Sequence, residues 1–192
     1  MRRFGLAAVV LLSVASSAAA ADWPCVQRKV EDIALAAVWT GPPLDAAARA
    51  WRNDAQIAGL VERLAARRTS EDDARKAIAG LAKPQLLALT AGLVETVNAE
   101  RADVIAGLER FGVAQKQLAT ALREENARLA ALRADPQADP AQLAQLTESL
   151  TWNLRIFEER RKSLRFVCEV PVAIEQRLFA LSREIQKALP EQ

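Results

Sequence analysis

Cys25 and Cys168 are the two thiols of a 192-residue chain, and their chemistry depends on the compartment the chain reaches. In an oxidising compartment paired thiols persist as disulfides. A Cys25–Cys168 disulfide is the default reading, and closing so long a loop stabilises a fold by about 5 kcal/mol in the chain-entropy model. Two free or redox-active thiols are the competing reading, weakened because neither cysteine belongs to a Cys-x-x-Cys pair.

Other chemistry is sparse. The chain has no histidine, which removes the commonest general base and the main zinc and haem ligand. A phosphate loop, a dinucleotide glycine pattern, a GxSxG turn and Cys-pair metal motifs are absent from the sequence as well. Carboxylates suffice for glycosidases, but only where two of them converge in a cleft. Here Glu124 with Arg128, and Glu158 with Lys162, read as four-residue ion pairs on solvated helix faces. The expectation is a protein that is not an enzyme, with no catalytic, cofactor-binding or metal site.

The residues must be positioned by helices. Alanine and leucine dominate, tyrosine is absent and glycine is scarce, a helix-rich composition. From residue 84 onward Leu87, Thr90, Val94, Val97, Arg101, Val104, Leu108, Phe111, Gln115, Leu118, Leu122, Glu125, Leu129 and Leu132 recur with gaps of three and four, a heptad seam. Asp135-Pro136-Gln137-Ala138-Asp139-Pro140 interrupts it. The seam resumes at Leu143 and runs through Leu150, Asn153, Phe157, Arg160, Leu164, Pro171 and Leu178 to Ala188. Two matched seams joined by a short turn fold back on each other. The predicted fold class is therefore all-α, a long antiparallel coiled-coil hairpin over 84–192 with its turn at 135–140 and a small N-terminal helical base. Positions equidistant from the turn should meet, placing Phe111 near Leu164, Leu118 near Phe157 and Val94 near Leu181. The same register sets Gln115 opposite Arg160 and Arg101 opposite Ile174. Pro171 should kink or break the second arm.

Residues 22–83 read as an arm and short helices packing on the base. Asp45 is the expected N-cap of a helix reaching about Arg68, followed by a restart at Thr69-Ser70-Glu71 and a helix to about Lys83. Leu86, Leu89 and Leu93, with Phe166, Val170, Val172 and Phe179, widen the apolar face near the base, where the N-terminal helices should cover them. Beyond about Gly112 a distal half about 35 Å long should protrude. There Trp152 and Ile156 lie off the seam and are the candidate protein contact. The polar seam residues Arg101, Gln115, Glu125, Asn153 and Arg160 read as register and oligomer-state determinants rather than ligands.

Residues 1–21 have the order of a secretory signal peptide, with Arg2-Arg3, an apolar run from Leu6 to Val14 and Ala19-Ala20-Ala21. No segment is apolar for the roughly 20 residues of a membrane span. Lys and Arg total 26 against 24 Asp and Glu, and the excess of two is Arg2 and Arg3, so no basic footprint for nucleic acid is expected.

Asp22-Trp23-Pro24-Cys25-Val26-Gln27, Trp39-Thr40-Gly41-Pro42 and Val167-Cys168-Glu169-Val170-Pro171 resemble segments of uncharacterised exported proteins of Gram-negative bacteria, chiefly alphaproteobacteria. The resemblance implies a periplasmic location and brings no activity. The leading functional expectation is a periplasmic or secreted protein that presents a helical hairpin to a protein partner or a second copy. A holdase-type chaperone is the first alternative. A small-ligand binder or carboxylate enzyme in the basal cleft is the second.

Overall fold

The computed structural model describes residues 22–190; the signal peptide read at 1–21 lies outside them. Two long helices dominate, α5 over Lys83–Ala134 and α6 over Pro140–Ala188, preceded by α1 (Leu35–Val38), α2 (Ala46–Arg49), α3 (Ala55–Ala65) and α4 (Glu71–Ile78). Among the described residues there is no strand, and the molecule is all-α.

Local chemistry explains most boundaries. Asp54 accepts from the Gln56 and Ile57 amides to start α3, and Ser70 accepts from Asp73 to start α4. Glu71, Asp72 and Asp73 fill the first turn of α4, where acids suit the positive end of the helix dipole. Pro84 sits in the first turn of α5 and Pro140 opens α6, positions that need no amide partner. Between them Asp135 accepts from the Gln137 amide and Asp139 from the Ala141 amide.

The single helix expected from Asp45 to about Arg68 is two. Asp45 caps only the four residues of α2, and a 3₁₀ turn over Trp51–Asn53 leads to the second cap at Asp54. The turn lets Trp51 point inward, where it is buried. Pro171 does not break α6: the helix runs through it to Ala188.

α5 and α6 pack antiparallel along their lengths. The basal core joins Ile57, Val61 and Leu64 of α3 with Leu86, Leu89, Leu93 and Val97 of α5 and Ile174, Leu178, Leu181 and Ile185 of α6. A smaller distal core holds Leu122, Leu129 and Leu150, flanked by Leu118, Leu143, Leu146 and Phe157. No helix of the described residues is long and apolar enough to cross a membrane.

Candidate interaction face

The N-terminal arm decides which part of the hairpin is covered. Cys25 and Cys168 form a disulfide with an S–S distance of 2.06 Å and Cα atoms 5.6 Å apart. From Ile33 back to Asp22 the arm follows α5 toward the tip. Asn98 holds Ile33 by its carboxamide, accepting from the Ile33 amide at 2.9 Å and donating to its carbonyl at 3.2 Å. Arg101 donates to the carbonyls of Val30 and Glu31, the latter at 2.8 Å. Lys29 pairs with Glu109 at 2.6 Å, and this hydrogen bond to Glu109 raises the lysine's pKa. Gln27 reaches the Cys168 carbonyl at 3.4 Å, and Lys116 meets Asp22 at 2.9 Å. Gly112 admits the arm's end: a Cβ there would collide with the Asp22 carbonyl oxygen.

The polar seam residues separate into distinct roles. Asn153 donates to both oxygens of the Glu125 carboxylate at 3.1 Å, a half-buried pair across the hairpin beside the distal leucines. Gln115 donates to the Phe157 carbonyl at 3.0 Å rather than meeting Arg160, which is exposed. Its Oε1 has no hydrogen-bond partner among the described residues, and the residue borders a small cleft of about 230 Å³ with Trp23, Pro24 and Leu164. Arg101 turns to the arm instead of to Ile174, because two carbonyls there solvate a buried guanidinium that an isoleucine cannot. Near the base, Arg177 donates to the carbonyls of Leu64 and Thr69, closing the end of α3; burial lowers its pKa.

Trp152 is 61% exposed, whereas Ile156 is half-buried, so the two do not form an equally open pair. The apolar residues expected to be covered near the base divide by helix. Leu86, Leu89 and Leu93 of α5 are buried under the N-terminal helices. Phe166 at 62%, Phe179 at 45% and Val172 at 37% stay open on α6, with Val170 half-buried. The physical reason is one-sided packing: α2 and α3 lie mainly on α5, while α6 is covered chiefly by the short α1 and α4 and by the arm at Cys168. Sequence pattern marked these side chains as apolar and non-seam but could not tell a covered flank from an uncovered one. Arg165 sits over the Phe166 ring at 5.3 Å and Arg183 over the Phe179 ring at 5.7 Å, so this face is amphipathic.

Concave regions near the base include two that touch the long helices. One, about 590 Å³, is bounded by Trp51, Pro84, Leu87, Asp45, Asp54 and Lys83. The other, about 480 Å³, lies between α4 and α6 beside Phe179, Arg183 and Glu184; the bond from Lys187 lowers the Glu184 pKa. Among the described residues no three metal-ligating side chains converge. Comparison of the chain with protein-family models, curated proteins and solved structures returns no match.

Proposed function

We propose that the chain is a non-enzymatic, periplasmic protein-interaction or scaffold protein, in which a disulfide-locked helical base presents a helical hairpin to a partner. Its kinship with exported alphaproteobacterial proteins belongs to the same proposal. The supporting observation is the distribution of open apolar side chains. Of nine large hydrophobic residues exposed among the described residues, six (Trp152, Leu154, Phe166, Val167, Val172 and Phe179) lie on α6, and Val113 alone lies on α5. Open apolar side chains concentrated on one of two paired helices, on both flanks of its outer side, mark that helix as the one with surface left for a contact. Trp152 supplies the aromatic anchor that such surfaces use.

The test is capture from periplasmic extract on the full chain, with Trp152→Ala in parallel. A defined partner retained by the natural chain and lost from the variant, at unchanged melting temperature, is the expected result. Indiscriminate retention of unfolded proteins favours the holdase alternative. If Trp152→Ala instead unfolds the chain and leaves capture intact, the residue is core and the contact assignment fails.

The groove beside Trp51 favours a second reading, a small-ligand binder in the basal cleft. A metabolite that raises the melting temperature by mass action, and ceases to do so in Leu87→Trp, would establish it.

A further inference from the structure

The side of α6 turned away from α5 carries exposed residues from Glu148 to Arg183, with α4 flanking its far end beside Phe179 and Arg183. Opposite the seam stand Glu148, Arg155, Lys162, Glu169, Gln176 and Arg183, one every seven residues and all exposed. Trp152 and Phe166 form a column on one flank, Val172 and Phe179 on the other. Among the described residues Glu148, Arg155, Glu169 and Arg183 make no ion pair, and Lys162 pairs only with its neighbour Glu159 at 3.0 Å.

The order of these charges complements itself when reversed. Glu148 stands as far before the midpoint between Arg165 and Phe166 as Arg183 stands after it, and Lys162 and Glu169 are equally matched. Arg155 falls opposite the neutral Gln176. We propose that this face binds the same face of a second copy, antiparallel, about a two-fold axis beside Phe166. The proposal deepens the reading of the chain as an interaction protein and rests on it.

An isologous contact requires a patch that is its own complement, and two of the three pairs in this six-residue series, Glu148 with Arg183 and Lys162 with Glu169, meet that requirement while the third sets no like charges together. A parallel pairing would set Glu148, Lys162 and Glu169 each against its own copy. In the antiparallel pair, flanking columns face their own counterparts: Phe166 meets Phe166, and Trp152 lies beside Ala180 of the second copy. Arg165 also meets itself, a like-charge contact placed next to the Phe166 ring that its guanidinium covers. The face is about 50 Å long and about 10 Å wide. It would bury about 1,000 Å² in total, the lower limit for a specific interface, so association should be weak and reversible.

Sedimentation velocity of the full, disulfide-bonded chain from about 1 to about 300 μM tests it, a range chosen for a micromolar dissociation constant. The expected result is a concentration-dependent monomer–dimer equilibrium. Glu148→Arg sets arginine against Arg183 twice per dimer and should weaken association about tenfold. Glu148→Arg combined with Arg183→Glu should restore it, with the melting temperature of both variants unchanged. Association that Glu148→Arg leaves alone, or that the double variant fails to restore, overturns the geometry. A monomeric chain that still captures a partner through Trp152 overturns the second copy and leaves the interaction reading standing; a monomeric chain that captures nothing overturns both.

Discussion

Gly92 lies where Trp51 and Val61 press on α5: an added Cβ would stand 2.5 Å from Val61 Cγ2 and 2.9 Å from Trp51 Cδ2. Val61 is fully buried and cannot swing away. Alanine gains about 1 kcal/mol of helix propensity over glycine, whereas overpacking a rigid core costs about 1–3 kcal/mol. Gly92→Ala should therefore destabilise the chain in denaturant titration, against the propensity trend. Glu95, three residues on, accepts from Trp51 Nε1 at 2.9 Å and from Arg52 at 2.8 Å. The bond from Trp51 is the first cause, and Arg52 the second, of a carboxyl pKa below its usual 4.5. A depressed carboxyl pKa contributes stability that is whole at neutral pH and is lost as pH falls through the folded value. The melting temperature of Glu95→Gln should lie below the natural chain's at pH 7 and approach it as the solution is acidified. At this scale the sequence was a partial guide. It marked Arg101 and Gln115 as anomalous in the seam, but their partners are backbone carbonyls, and backbone carbonyls leave no trace in residue type.

The hairpin was readable at the level of elements because its two seams, with their three-and-four spacing, flank a turn carrying two prolines and two capping acids. Leu118 and Phe157 share the distal core, and Leu178 lies in the basal one. With the native disulfide intact, Leu118→Cys with Phe157→Cys should be joined by a short thiol crosslinker, and Leu118→Cys with Leu178→Cys should not. Efficient joining of the second pair and none of the first would refute the register. The break between α2 and α3 was harder to see. Asp45 and Asp54 are both good caps, and a cap marks a helix start without saying that an earlier helix has ended. The open side of α6 was harder still: an apolar flank has one pattern whether a neighbouring helix covers it or a second molecule does.

Over the whole molecule, one covalent bond sets the division between base and tip. The disulfide joins residues 143 apart in sequence, and closing a loop of that length is worth about 5 kcal/mol in the chain-entropy model. Reduction should lower stability by several kcal/mol in denaturant titration and increase hydrogen exchange first in the arm between Asp22 and Ile33, whose remaining ties include Asn98, Arg101, Glu109, Lys116 and the Cys168 carbonyl. Free thiols in oxidised, unfolded and alkylated protein would rule the bond out. The pairing was legible in the sequence because only one partner exists for each thiol; the path of the arm toward the tip was not, since Gly112 and Lys116 look like ordinary helix residues until Asp22 is placed against them. The bridge also encloses the hairpin's tip. Exposed loop tips are where proteases cut, and the residues between Asp135 and Asp139 are exposed except for Ala138. A chain cleaved there would migrate as one species on a non-reducing gel and fall into two fragments once reductant is added, so the molecule can be severed at its far end and still hold together.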